Sequence, residues 1–541
     1  MKIIEGLPPK KKYDWVSIDL EMWHLKPKQL HRPFGELACM TICPDGKNVY
    51  VIRDAKKIPA AIDRIRSAGM WVFHNAGFDL RHLRRWAKVP YRRIWDTLLV
   101  ERILWSGWYS DFGLEDLARR HLGIYVDKSV REKFYKKGGK ESLTKEMLHY
   151  AATDAVVTWR VAQTQRPEFE ADPKAEECYW KIDHDALWAV LDFKGMLLDV
   201  GRWNEIAIKN QKKADLIARQ LGFNAGSPKQ VLAALRNIGL DLPDTNAKTL
   251  ESFKSNKLVE SVLSYRDADK RASTYGRDFV KNYVEADGRI YPYFNPTGAS
   301  TGRVSSDSPN AQNIPSEKIF RECFVAAKGS VLVDADFSQQ EPRVAAFLSG
   351  DQELISIFAS GVNVHLENAR TIYKNRKLTK EGNPKEYKHG KAMNLAVSYG
   401  MTAYGLAEQT GFTVDEADAF LREYFKRFWK LKRWIDRQRE EGRKTEWVRT
   451  LGGRRFGLNN YSRRSENNSV NSPVQGSAAD ITKLALVYFH RSWQEQYPKT
   501  SFPVIAVIHD EILAEVPRAY GTRTRNLLKR CMIAAFREIV P

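Results

Sequence analysis

At 541 residues, with 43% hydrophobic and 28% charged side chains, the chain is long enough for about two to four folded domains and too apolar for disorder, collagen-like repeats or a low-complexity scaffold. Its five cysteines, Cys39, Cys43, Cys178, Cys323 and Cys531, form no CxxC pair, which excludes a disulfide framework or zinc ribbon and suits reduced, intracellular thiols; no apolar run nears the roughly 18 residues of a membrane span. Against 66 Asp and Glu stand 87 Lys and Arg, a formal charge of +21, and such an excess attracts polyanions because each neutralised phosphate releases a condensed counterion.

In chain order, strand-like runs at Trp15 to Leu20 and Met70 to Phe73, with a helical pattern from about Thr144 to Ala162, mark the first 160 residues as an α/β unit. The polar, proline-punctuated stretch from Gln165-Arg166-Pro167 to Asp172-Pro173-Lys174 reads as a boundary. From Cys178 the pattern is helical to about Tyr283, with Gly195 as a helix stop, and a β-rich stretch follows at Arg289 to Tyr293. Leu332 to Phe337 is a further strand, after which helices dominate to about Gly442, one of them opened by the capping box Thr413-Val414-Asp415-Glu416. The runs Pro503 to Ile508 and Ile512 to Val516 enclose His509-Asp510-Glu511 as a hairpin. The basic excess is local: residues 426–455 hold twelve basic and four acidic side chains, interleaved with Phe428, Trp429, Trp434 and Trp447, and residues 371–391 hold seven and two. No internal repeat is present.

In Val16-Ser17-Ile18-Asp19-Leu20-Glu21, strict alternation buries the apolar residues of a strand and projects Asp19 and Glu21 from its other face. Two carboxylates that close raise each other's pKa unless a divalent metal makes the pair favourable. Asp79 follows in His74-Asn75-Ala76-Gly77-Phe78-Asp79, and Tyr150 and Asp154 stand at i, i+4 on one helical face. Singly these read as solvated strand carboxylates, an Asx turn and an exposed helical pair. In this order the four acids and the tyrosine resemble the proofreading 3′-to-5′ exonucleases. The resemblance implies that Asp19, Glu21, Asp79 and Asp154 hold two divalent metals, and that Tyr150 orients the attacking water.

A second set begins with the strand Leu332-Val333-Asp334-Ala335-Asp336, followed by Phe337-Ser338-Gln339-Gln340-Glu341-Pro342-Arg343. Its acids and those of Ile508-His509-Asp510-Glu511 could converge on a pair of Mg²⁺ ions, which favour oxygen ligands and bridge substrate phosphates. Between them, Lys391, Leu395 and Tyr399 share a helical face headed by a lysine suited to a triphosphate. With Thr301-Gly302-Arg303-Val304-Ser305-Ser306, Pro309-Asn310-Ala311-Gln312-Asn313-Ile314-Pro315 and Asn471-Ser472-Pro473-Val474-Gln475-Gly476, these motifs resemble family A DNA polymerases over nearly the whole chain.

The resemblance implies an α+β multidomain protein: a ribonuclease-H-like exonuclease domain at 1–175, then a right-hand polymerase domain at 176–541, with thumb about 190–290, palm about 291–345 and 470–541, and fingers about 346–469. Asp336 and Asp510 would bind two Mg²⁺ ions with Glu511 in support, Glu341 would exclude a 2′-hydroxyl, and Lys391 and His365 would hold the incoming triphosphate. Tyr399 would lie near the templating base, and Arg303, Asn471, Gln475 and His509 around the primer end. Asp334 shares a strand face with Asp336, so only the match to Asp-Phe-Ser-Gln selects the latter. The expected partners are primer-template DNA and dNTPs, for a monomer in the cytoplasm of a bacterium or phage-infected cell, without a membrane, and the compact architecture suggests phage or mobile-element replication.

Four positions depart from the family. Leu395 replaces an aromatic residue, Tyr387 a basic one with Lys388 beside it, Asn363-Val364-His365 the usual Asp-Ile-His, and Asn467 a basic residue. Leucine has neither a flat face nor a hydroxyl, so strong discrimination against dideoxynucleotides is expected, relieved by Leu395→Tyr and much less by Leu395→Phe; the ratio of ddNTP to dNTP incorporation measures it. A nuclease-dominated repair protein with weak synthesis is the alternative reading. A clamp without chemistry is opposed by six carboxylates, which repel a phosphate backbone unless metals neutralise them.

Overall fold

A computed structural model describes every residue except 24–34, 135–141, 399, 401, 460 and 461, and the side chains of 394–398, 463 and 464 also lie outside the description. Strands β1 (Lys2–Glu5), β2 (Trp15–Trp23), β3 (Glu36–Cys43), β4 (Asn48–Ile52), β5 (Met70–Phe73) and β6 (Ile94–Asp96) form one sheet in the order β1-β4-β3-β2-β5-β6. β2, β5 and β6 run parallel, and β3 is antiparallel to both neighbours. The alternation expected of β2 holds in its second half, where Leu20 and Met22 are buried while Asp19 and Glu21 stay partly open. Its first half is buried on both faces because β2 is central to the sheet, with Ser17 donating to the Ala155 carbonyl of the helix above. Pairing of Glu21 with Cys39 and Met22 with Leu37 skips Ala38. This bulge adds twist where the acids leave the sheet.

The polar stretch read as a boundary is helical and packed rather than an open linker. The helix Lys145–Glu170 runs through Pro167, which falls in its last turn, and a second helix, Pro173–Cys178, starts after the Asp172 cap. Its polar residues are engaged at long range: Gln165 bonds Trp95, Glu101 and the Thr97 carbonyl, and Asp172 pairs with Arg449 and Arg455. The helical run expected from Cys178 to Tyr283 is also broken, by β7 (Met196–Leu197), which pairs with β8 (Arg289–Ile290).

Strand β9 (Tyr293–Asn295) forms a hairpin with β10 (Ser305–Asp307), and β11 (Ser330–Asp336) pairs antiparallel with β15 (Glu511–Pro517). A second hairpin joins β12 (Trp447–Arg449) to β13 (Arg455–Gly457), and β14 (Val504–Ile508) completes the sheet β11-β15-β14. The capping box is present: Thr413 Oγ1 accepts from the Glu416 N–H at 3.2 Å, and Glu416 accepts from the Thr413 N–H at 2.8 Å.

One apolar core extends from Val16, Ile18 and Trp71 through Tyr179 and Trp188 to Phe489, Ile512 and Met532, so the six-stranded and three-stranded sheets are not separately cored. Smaller cores lie among the helices, one around Val231, Leu235, Leu250 and Val259 and one around Val344, Tyr424, Phe428 and Trp434.

A buried ionic quartet sits beside the large core. Arg454 Nη2 contacts Asp183 at 2.6 Å and Asp480 at 3.0 Å, and Lys483 pairs with Asp183 and lies 3.6 Å from Asp480. Gly302 permits this packing, because its φ is +83° and a Cβ there would lie 2.4 Å from Arg454 Nε. Two positive and two negative charges balance. Arg454→Met would leave a charge imbalance among groups at most 1% exposed, and is expected to lower stability by about 3–5 kcal/mol, measured as the denaturant midpoint.

Candidate active sites

The six-stranded sheet and the helices packed beside it build an acidic cavity of about 340 Å³. Asp19 and Glu21 come from the end of β2, Asp79 from the first turn of the helix Ala76–Trp86, and Tyr150 and Asp154 from successive turns of the helix Lys145–Glu170. All five line the cavity, as the sequence pattern expects. The helices hold them in place: Asp79 Oδ1 accepts from the Leu20 N–H at 2.9 Å, and Thr144 caps the second helix through the Met147 N–H at 3.2 Å.

The acids repel one another. Burial, and then Asp154, push the Asp19 carboxyl up to about 7. Glu21 is raised well above the carboxylate range by burial, Asp19 and Asp154, and Asp79 by burial and Asp19. The Tyr150 hydroxyl is raised by burial and Asp154, so it stays protonated and able to donate.

Sequence reading missed several basic groups. Lys128 Nζ lies 2.8 Å from Asp154 Oδ2 and 3.3 Å from the Tyr150 hydroxyl, and Arg102 and Arg131 line the same cavity. No periodicity marks Lys128. It also missed Asp96, whose carboxylate accepts from the N–H groups of Asn75 and Ala76 at 3.0 and 2.8 Å and so fixes the start of the Asp79 helix. His74 and Asn75 line the cavity too, next to Asp79 in the motif that announced it.

The second acidic set sits on the edge of the three-stranded sheet. Register places Asp336 opposite Glu511, and Asp510 follows β14 in the turn that leads into β15, so the acids of the two strands converge at this edge. Burial and then Asp510 raise Asp336 to about 6; burial and then Asp334 raise Glu511 to about 7, with Arg321 3.7 Å away opposing the rise. His509, at φ +59°, heads the tight turn that delivers Asp510, a left-handed conformation uncommon outside glycine and frequent at functional sites. Gln312 ties this hairpin to the Thr301–Pro315 region by donating from Nε2 to the Val304 and Val507 carbonyls, both at 3.1 Å.

Around this edge, Arg303 pairs with Glu341 at the start of the helix Gln340–Ser349. Asn471 and Gln475 lie one turn apart on the helix Arg463–Gln496, where Asn471 Oδ1 is buried without a partner. His365 opens the helix Val364–Ile372 and is lowered to about 4 by burial and the nearby Lys391. Two departures from the family pattern meet: Asn363 Nδ2 donates to the Tyr387 hydroxyl at 3.2 Å. A neutral bond thus joins two positions where the family pattern has an acid and a base. Leu395 belongs to the helix Pro384–Ser398, but its side chain, and all of Tyr399, lie outside the described residues.

Divalent cations suit both places. Asp19 Oδ2 and Asp154 Oδ1 are buried without a hydrogen-bond partner, and carboxylate oxygens are the ligands hard cations take. Among the described residues, no group of three or more His, Cys, Asp or Glu side chains is already gathered as a metal cage, so the fit rests on the orphaned oxygens and the donor chemistry.

Residues 202–541 match the model of DNA polymerase family A, and residues 9–170 match that of a 3′-5′ exonuclease. The chain belongs to DNA polymerase family A, with an exonuclease domain at its N-terminal side. It is 31% identical over 508 residues to DNA polymerase I of Chloroflexus aurantiacus, covering 86% of this chain and 53% of that one. To the thermostable DNA polymerase I of Thermus caldophilus it is 36% identical over 428 residues, covering 72% and 50%. DNA polymerase I of Aquifex aeolicus is 29% identical over 540 residues, covering 92% and 90%. The chain thus spans about half the length of the Chloroflexus and Thermus relatives. Among solved structures, the POL domain of Pol1 from M. smegmatis, in complex with DNA primer-template and dNTP, superposes with a TM-score of 0.80 at 25% identity, covering 96% of this chain and 92% of that one. Among the described residues, no helix is long and apolar enough to cross a membrane.

Proposed function

We propose that the chain extends a DNA primer along a template from dNTPs and, in a second site, removes nucleotides from a 3′ end. The observation that carries this reading is the convergence of Asp336 with Asp510 and Glu511 at a sheet edge, in a chain whose other acidic set lines its own cavity. The proposed division is exonuclease at 1–175, thumb about 190–290, palm about 291–345 and 470–541, and fingers about 346–469. The separate apolar cores near Val231 and near Tyr424 support the thumb and fingers.

Asp336 and Asp510 would hold two Mg²⁺ ions, with Glu511 beside them; the ions supply charge neutralisation and activation of the attacking oxygen. Lys391 and His365 would grip the triphosphate, the histidine as a neutral donor given its lowered pKa. Asn471, Gln475, His509 and Arg303 would align the primer end for in-line attack. In the other site, Asp19, Glu21, Asp79 and Asp154 would hold two divalent metals, and Tyr150 would orient water. The three relatives, from Chloroflexus, Thermus and Aquifex, make a bacterial repair or replication role at least as apt as a phage or mobile-element one.

Primer extension compared with primer degradation in Mg²⁺, with and without dNTPs, tests the reading. Degradation without extension would favour a nuclease-dominated repair protein, and neither activity would leave a clamp. A further outcome concerns the sugar. Removing the Glu341 carboxylate opens room that a 2′-hydroxyl can fill and frees Arg303, so Glu341→Ala is expected to raise the rNTP-to-dNTP efficiency ratio at least about tenfold. An unchanged ratio would move the sugar gate elsewhere.

A further inference from the structure

The exonuclease cavity is braced from outside its own region. Asn75 caps the Ala76–Trp86 helix in a left-handed conformation, φ 67° and ψ 54°, and Asp96 fixes its backbone. Its side-chain Oδ1 accepts from the hydroxyl of Tyr293, on β9, at 2.8 Å. Gly77 allows that approach, since a Cβ there would lie 2.8 Å from the hydroxyl. One turn farther along the helix, the Arg81 guanidinium lies over the same tyrosine ring, 5.2 Å from its centroid. On another wall of the cavity, Arg102 donates from Nη1 to the Gly298 carbonyl at 2.9 Å, and its buried Nε has no partner.

Tyr293 and Gly298 belong to a single β9–β10 hairpin, whose loop also carries Thr301-Gly302-Arg303. Ordinary packing between neighbouring regions would need only shape. Here the hydroxyl bonds an amide that lines the acidic cavity, and with Oδ1 engaged, Nδ2 is the group left to donate to a strand. The same bond steadies the first turn of the helix that presents Asp79.

We propose that Tyr293 is a positioning residue of the exonuclease site, acting through Asn75, so that removal of a 3′ nucleotide depends on the β9–β10 hairpin of the polymerase region. The inference rests on the exonuclease reading given above. Three full-length variants test it: Tyr293→Phe, Asn75→Gly, which removes the amide where glycine tolerates the left-handed backbone, and the double variant. Degradation of a single-stranded oligonucleotide in Mg²⁺ gives kcat and KM.

Tyr293→Phe should lower kcat about tenfold, the effect of one well-placed hydrogen bond, with KM within about twofold and with primer extension and melting temperature unchanged. Asn75→Gly should lower kcat at least as much. The double variant should match Asn75→Gly alone, because the hydroxyl acts only through the amide. Unchanged kcat in Tyr293→Phe, additive losses in the double variant, or a parallel fall in extension and melting temperature would each overturn the proposal. If the unaltered chain degrades no strand at all, the reading of the cavity fails, and this inference with it; if it degrades normally and Tyr293→Phe does too, only the inference fails.

Discussion

Asp336→Asn or Asp510→Asn is expected to reduce primer extension by about a thousandfold or more while leaving 3′-to-5′ degradation within about twofold. The size follows from the proposed chemistry: in nucleotidyl transfer driven by charge neutralisation at phosphate, losing one of the carboxylates proposed to bind metal would remove a principal source of transition-state stabilisation. The selectivity follows from the architecture, because the two residues sit on β11 and the β14–β15 turn, away from every strand and helix that lines the acidic cavity. The structure sharpens the choice within β11. After burial, Asp510 raises Asp336 most, whereas Asp334 raises Glu511 most, so Asp334→Asn should cost less. Single-nucleotide incorporation rates for the three variants measure this, and a larger loss from Asp334→Asn would transfer the catalytic role to it.

The complementary expectation is that Asp19→Ala with Glu21→Ala abolishes degradation, by about a thousandfold or more, and preserves extension. Both carboxyls are raised by burial and mutual repulsion, so removing them relieves strain within the cavity and the double variant should melt no lower than the parent. Retained extension with a stable fold and lost degradation separates chemistry from unfolding. Persistent degradation by the pure double variant would place the nuclease elsewhere.

The acids of both sites were legible because each lies where a local pattern ends: alternation in Val16 to Glu21, an apolar run closing at Asp336, and two β runs flanking His509 and Asp510. Period-two and period-four patterns report which face a residue takes, and so they delivered Asp19 with Glu21 and Tyr150 with Asp154. Partners distant in sequence leave no such trace. Lys128 beside Asp154, Tyr293 on Asn75 and Asn363 on Tyr387 are contacts made by the tertiary fold alone. The same blindness hid the packing of residues 165–172: Gln165, Glu168 and Asp172 look solvated in sequence, yet Trp95, Trp105, Arg449 and Arg455 satisfy them. Pro167 costs the helix the bond its missing N–H would make to the Gln163 carbonyl, and the helix ends within a turn of it.

The continuous apolar core also constrains how such a protein can be altered. Phe169 meets Tyr179 edge to face, and both share with Trp188 the core that reaches the two sheets, so cutting the chain near residue 175 would leave large aromatic surfaces in water on each fragment, an invitation to aggregate. Proofreading in this scaffold is therefore better silenced by two point changes than excised, and grafting a foreign exonuclease would require redesigning the seam along with the module.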